Sequence, residues 1–283
     1  RLRTVTEVQT CALPISHSAS HGSLLLGDGV QRGAIGCLID GAWTLQPVVA
    51  QGCRPIGPVL DVEQAERNVV LAVSEGGQGQ HSPVAALQAI LQELSPEERE
   101  LVKHSLFLGV GRDSFQLDGD GGSLPPAFLV RNLLGVDPRL GAVAVAERMR
   151  VGQRVQFQLR DAEASRQEQR ALFAAARQQQ QQQSSPLLGL LFACLGRGKE
   201  LYGQADGDVT LCREQFKDLP IAGAFCNGEI GPMAGTTHLH GYTASWGFLV
   251  PAGDGPDGPA AAAEASTQAA GPTGSGQIGR AHV

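Results

Sequence analysis

The stretch Leu219–Val250, LPIAGAFCNGEIGPMAGTTHLHGYTASWGFLV, decides how the chain is read. Two apolar runs, PIAGAF and ASWGFLV, enclose a glycine-punctuated centre that carries Cys226, Asn227, Glu229, His238, His240 and Thr243. Both runs read as core strands. A single Glu or His between them would be an internally satisfied group, because buried polar atoms find hydrogen-bond partners. The whole cluster points instead to a junction that faces a ligand or a partner.

The rest of the chain bounds that reading. Its 283 residues suit one large domain or two small ones, with enough apolar residues to bury a core. The formal charge of −6 argues against a nucleic-acid footprint, which needs clustered Lys and Arg. No apolar run reaches membrane-spanning length and no secretory signal pattern is visible, so the expectation is a cytoplasmic protein with no membrane partner. The 6 cysteines lie far apart with no CxxC spacing. They read as reduced thiols rather than a disulfide frame or zinc site.

Both ends look foreign to the fold. Thr10–Ile15 can be encoded by ACG TGT GCT CTT CCG ATC, and Ile278–Val283 by ATC GGA AGA GCA CAC GTN. The two strings are nearly reverse complements, as a sequencing adapter read through into an assembly would be. Residues 1–16 and 278–283 are therefore set aside, and the expectation is a fragment that lacks its natural N-terminus.

Between those ends, LLLGDG, GAIGCLID and WTLQPVVAQGC read as strands. Gln51–Pro58, with two prolines and two glycines, reads as a stiff loop carrying Arg54. VLDVEQAE and NVVLAVSE form a hairpin that turns at Glu66-Arg67-Asn68. A helix follows, capped by Ser82 with Pro83 first, and Val84, Leu87, Leu91 and Leu94 on one face. Ser95 and Glu98 are spaced as a capping box for the next helix, which ends at His104. SLFLGVG is a buried strand, and the acidic Asp118–Ser123 segment reads as a solvated loop. In QRVQFQLRD, Val155, Phe157 and Leu159 alternate with polar residues, and Asp161 is placed to cap a helix from Ala162 to about Gln183. That helix runs into a glutamine tract. PLLGLLFACLGRG reads as a central strand that empties into a Gly-Arg-Gly turn, where open sheets tend to place ligands. Cys212–Leu219 reads as a short helical link, and residues 251–277 as a disordered Pro/Gly/Ala tail.

QGCRPIGP, FLVRNLLGVD, QFQLRDA, LFACLGRG, GAFCNGEIGP and LHGYT, in that order, resemble the FIST family of sensory domains in its bacterial form. The likeness spans about Gly33 to Val250. It implies a remnant of a FIST N-terminal domain over 22–75 and a FIST C-terminal domain over 76–250. The implied architecture is mixed α/β, strand-rich sheets packed with a few helices, with the N-terminal sheet incomplete. The implied function is an intracellular signal-transduction module that binds a small, amino acid-like molecule and passes its signal to a separate signalling protein.

The residues support that reading in detail. Arg197 can hold a carboxylate through its planar fork, and Glu229 can receive an ammonium group. Asn227, Tyr242 and Thr243 can orient the ligand, while Arg54, Arg160, Cys194 and His240 complete the ligand-binding set. The alternative is that Arg197 and Glu229 satisfy each other as a structural pair. Catalysis by Cys194 or Cys226 with His240 as base is the weaker reading, because buried cysteine packs as a small hydrophobe. No catalytic residue and no cofactor is therefore assigned. The resemblance also keeps a haem-based gas sensor open, with His240 as axial ligand, and a protein-interaction scaffold is the remaining alternative.

Overall fold

The computed structural model describes residues 24–26, 29–31, 39–111, 128–180, 185–233 and 235–252. Strands β1 (Leu24–Leu26) and β2 (Gly29–Gln31) form a small hairpin and precede β3 (Trp43–Ala50), β4 (Cys53–Glu66), β5 (Val69–Glu75) and β6 (Gln78–His81). Helices α1 (Pro83–Glu93) and α2 (Pro96–Ser105) lead into β7 (Leu106–Gly111), β8 (Phe128–Asp137), β9 (Ala142–Val145) and β10 (Arg154–Arg160). Then come α3 (Ala162–Gln180), β11 (Leu188–Cys194), α4 (Lys199–Tyr202) and α5 (Gly207–Gln215). Strands β12 (Ile221–Cys226), β13 (Glu229–Met233), β14 (Thr236–His240) and β15 (Ala244–Pro251) complete the order. The mixed, strand-rich architecture expected from the sequence is what these elements form.

The larger sheet closes on itself. Its order is β4-β10-β7-β8-β9-β5, and β5 pairs back onto β4, while β6 extends the far half of β5. Every pairing is antiparallel. Closure removes the free backbone edges that an open sheet must protect. The alternation read in β10 is the reason it fits: Val155, Phe157 and Leu159 are buried and share a core with Ile56, Leu60, Val62, Val110 and Val143. Helix α1 adds Ala86, Leu87 and Ile90 to that core. Both helix starts are as expected, with Ser82 accepting from the Ala85 amide and Ser95–Glu98 forming a reciprocal capping box.

The segment expected as a stiff loop, Gln51–Pro58, is strand from Cys53 onward. Pro58 is tolerated because the β4–β10 register slips between Leu60↔Val155 and Ile56↔Phe157, which leaves extra residues on β4, while Pro55 pairs with Gln158 on the half of β4 that β5 does not reach. Gly57 sits in this bulge at φ +68°, and a Cβ there would lie 2.4 Å from Ile90 Cδ1. Bulges accept proline and demand glycine where φ turns positive.

The second sheet is open, with order β12-β11-β15-β3; β11 and β12 are parallel and the other pairs antiparallel. Phe173 of α3 meets Trp246 edge-on at 5.3 Å and Phe248 at 6.0 Å, and Phe216 closes the cluster. Such perpendicular ring contacts suit the quadrupoles of the rings. PIAGAF, expected as a core strand, is an exposed edge: only Cys226 of β12 is fully buried. Edge placement leaves β12 one pairing partner, whereas ASWGFLV in β15 has two and is buried almost throughout. The link expected over Cys212–Leu219 is helix from Gly207 to Gln215, so its helical part lies earlier in the chain. The acidic 118–123 loop, the end of the glutamine tract, the strand read over 33–40 up to Leu38 and the tail from 253 lie outside the described residues.

The chain crosses between the sheets at Gln51-Gly52. Both backbone amides donate to Glu168 of α3, and the Gln51 side chain bonds the Phe128 carbonyl and Val130 amide of β8.

Candidate functional site

The polar centre of the deciding stretch is a hairpin, β13–β14, folded against β3 and β15 and touching β11. Because β11 and β12 run parallel, their carboxyl ends coincide and Cys194 lies opposite Cys226. The chain leaves β11 through the turn Leu195–Gly198, held by the Arg197 amide on the Cys194 carbonyl at 2.9 Å.

Arg197 turns inward and is 1 % exposed. Its Nε and Nη2 donate to Asp208, Nη2 also to Ser165 Oγ and Tyr202 Oη, and Nη1 to the Tyr242 carbonyl. Gln169 Nε2 adds a bond to Asp208 at 2.7 Å. Burial disfavours the charge on Arg197, but the Asp208 carboxylate outweighs it and raises the guanidinium pKa. Burial likewise works against the Asp208 anion, and Arg197 holds its pKa below the usual carboxylate range. Gly52 is part of this packing. At φ +70° its missing Cβ leaves room for Arg197 Nη1, which would stand 2.8 Å from one. The ion-pair partner of Arg197 is therefore Asp208, not Glu229.

Glu229 is fully buried, yet only half satisfied. Oε2 accepts from the Thr243 amide at 3.2 Å and the Thr243 hydroxyl at 2.9 Å. Oε1 has no hydrogen-bond partner among the described residues. Burial pushes the Glu229 pKa up to about 7, against the pull of the Thr243 bonds and the more distant Arg197 and Arg160 charges. An unpaired buried carboxylate oxygen is costly and points to a missing donor.

Arg160 stands at the end of β10 with Nη2 on the Gly196 carbonyl at 2.9 Å, while its buried Nε has no hydrogen-bond partner among the described residues. Its guanidinium lies over the Tyr242 ring, 5.2 Å from the centroid. Tyr242 itself holds φ +69°, a left-handed backbone that is unusual for an aromatic residue. The Tyr242 hydroxyl accepts from Asn132 Nδ2, and the ring packs on Phe107. Such local strain concentrates where a fold over-determines a site.

The other expected residues fall at varying distance from this cluster. His240 Nε2 bonds the Gly231 carbonyl across the hairpin, and the His238 ring is 6.2 Å from the His240 ring. Asn227 is exposed in the turn between β12 and β13. Cys194 is half-buried and Cys226 buried; burial, Glu229 and Cys194 together raise the Cys226 thiol pKa. Arg54 lies on β4 and bridges Glu98 at 2.5 Å and Asp161 at 3.1 Å. Those bonds tie the barrel to α2 and to the start of α3, where Asp161 caps the Glu163 and Ala164 amides.

Sequence reading missed Asp208, Tyr202, Ser165 and Gln169. A signal existed for two of them: Ser165 and Gln169 share a helix face with Phe173 and Ala176, so polar residues interrupt an apolar stripe. A cleft of about 210 Å³ beside the β12 edge, lined by Leu191, Val209, Ile221 and Phe225 among others, touches Asp208 but none of the expected ligand residues.

Comparison with known proteins agrees with this assembly. The FIST N domain matches residues 17–75, and the FIST C domain matches residues 86–232. An uncharacterised protein of Mycobacterium tuberculosis strain H37Rv is 38% identical over 224 residues, covering 79% of this chain and 55% of its own. An uncharacterised protein of Mycobacterium bovis is 38% identical over 223 residues, with the same coverage. The chain thus spans about half the length of the curated relatives it matches. With family matches across the barrel, the β11 turn and the start of the Glu229 hairpin, the chain belongs to the FIST family, whose domains are sensory and signal-transduction domains.

Proposed function

We propose that this chain senses a small, amino acid-like ligand at the Glu229 cluster and conveys its binding to a separate signalling protein. The observation that carries the reading is the fully buried Glu229, whose Oε1 has no hydrogen-bond partner among the described residues. An ammonium or amide donor from a ligand supplies the missing bond, and such charge-assisted bonds are short and strong. The carboxylate end of the same ligand falls to Arg160, whose buried Nε has no acceptor among the described residues. Arg197 is left out of the contact set because Asp208, Ser165, Tyr202 and Tyr242 take its donors. Arg197 then acts as the post on which the Tyr242 and Gly198 turns are hung.

No catalytic step and no haem enters the proposal. Burial raises the Cys226 thiol pKa, and His240 Nε2 is engaged by the Gly231 carbonyl.

A thermal-shift panel of amino acids and small amines at pH 8 tests the reading. A ligand present at a hundredfold its Kd raises stability by about 2.7 kcal/mol. The shift is expected in the wild-type chain and lost in Glu229→Gln. A panel without response, or equal shifts in both proteins, overturns it.

A further inference from the structure

The turn of β11 and the end of β12 hold a second chemistry that is independent of any ligand at Glu229. Cys194 and Cys226 are directly opposed across a parallel pair of strands, so their side chains leave the same face of the sheet. Adjacent strands stand about 4.8 Å apart, inside the roughly 4.4–6.8 Å Cα separation that a disulfide spans. The two thiols differ in environment. Cys194 is half-buried, within reach of a small solute, whereas Cys226 is 1 % exposed. Cys226 Sγ has one weak interaction, toward the Ala224 carbonyl at 3.5 Å. The other described cysteines lack this geometry: Cys212 is packed in the α3–α5 apolar core, and Cys53 is paired in register with Arg160.

We propose that Cys194 and Cys226 are a redox-sensitive thiol pair that a hydroperoxide converts into a cross-strand disulfide. In the first step the Cys194 thiolate attacks the terminal oxygen of the hydroperoxide. The O–O bond breaks, the alcohol (water, for hydrogen peroxide) departs with a proton, and Cys194 becomes a sulfenic acid. In the second step the Cys226 sulfur attacks Cys194 Sγ. The S–O bond breaks and water leaves, taking the Cys226 proton with it. Two thiols and one hydroperoxide yield one disulfide, one alcohol and one water; each sulfur gives up one electron and the peroxide bond accepts both.

The division of roles follows from the surroundings. The more accessible member meets the oxidant, and the buried member, directly opposed to it across the strand pair, stands where it can resolve the sulfenic acid before it oxidises further. The resulting bond staples the start of the Leu195–Gly198 turn to the residue three places before Glu229. It therefore fixes the same two strand ends on which the Arg197 post and the Glu229 hairpin stand.

The experiment uses the full chain, reduced and then exposed to stoichiometric hydrogen peroxide. Remaining thiols are blocked with N-ethylmaleimide, and peptides are read by mass spectrometry without reduction. The expected product is a Cys194–Cys226 cross-linked peptide that dithiothreitol abolishes, with Cys212 still alkylated. In Cys226→Ser, and equally in Cys226→Ala, Cys194 is expected to accumulate as a dimedone-reactive sulfenic acid. In Cys194→Ser, Cys226 is expected to stay reduced. Recovery of both wild-type thiols fully alkylated overturns the proposal, as does a dominant cross-link through Cys53 or any other cysteine. Loss of ligand shifts at Glu229 with an intact cross-link, or the reverse, separates this inference from the ligand reading.

Discussion

The closed barrel and the open sheet handle polar groups in opposite ways. The barrel core, from Ile56 to Leu159, is apolar, and its charged residues lie outside it. Arg54, for example, spans to Glu98 and Asp161 at a half-buried margin. The open sheet instead buries Arg197, Asp208, Gln169, Glu229 and Thr243 within reach of its strand ends. Closure explains the contrast. A sheet without edges satisfies its backbone internally and needs only side-chain volume to be stable, whereas the parallel β11–β12 pair ends together and leaves a polar mouth to be filled. Within that mouth the two buried acids diverge again: Asp208 is bonded on all sides, and Glu229 is not.

The largest effect expected from breaking this arrangement is at the saturated pair. Asp208→Ala strands the Arg197 charge in a dry site, and urea unfolding should show a loss of about 3–5 kcal/mol. A loss below about 1 kcal/mol would mean that water reaches Arg197 and that the pair is marginal.

Glu229 should behave in the reverse sense. Its folded pKa of about 7 stands above the ordinary value of 4.5, so the native state binds the proton more tightly than the unfolded state does. Glu229 therefore subtracts stability as pH rises from about 4.5 through about 7, and the penalty is complete above that range. Glu229→Gln is expected to stabilise the ligand-free protein at pH 8 by roughly 3 kcal/mol, the size of such a shift. At pH 4 the gain should vanish. Equal stability of the two proteins at pH 8 would show that Oε1 is satisfied after all. A cationic ligand should bind more tightly as pH rises through the same window, because it meets the ionised carboxylate.

The smallest effect belongs to the barrel side. Ser95→Ala removes one half of the α2 capping box and should lower stability by about 1 kcal/mol with no pH dependence between 5 and 8. A pH-dependent loss there would blur the contrast by coupling α2 to a titrating group.

Local signals in the sequence carried a good deal of this. Alternation placed β10, cap spacing placed α1 and α2, and Asp161 was found as the start of α3. Glu229 and Thr243 were singled out, and they bond each other. What stayed hidden was long-range. Nothing in PLLGLLFACLGRG or its neighbourhood tells that Arg197 turns toward Asp208, eleven residues on, instead of toward Glu229. Nor could RPIGP announce a strand, since the bulge that admits Pro58 is a property of the β4–β10 register. Closure of the barrel depends on β4 meeting both β10 and β5, a relation between distant segments with no local mark.

The crossing at Gln51-Gly52 has one more implication, for mechanics. Its amides are clamped by Glu168, its side chain by β8, and the void of Gly52 is filled by Arg197. A tug on the β11 turn is thus transmitted through Arg197 to the chain segment that enters the barrel, over a path with no slack side chain in it. The crossing thereby joins the Arg160–Gly196 and Asn132–Tyr242 bonds as a place where the two sheets engage.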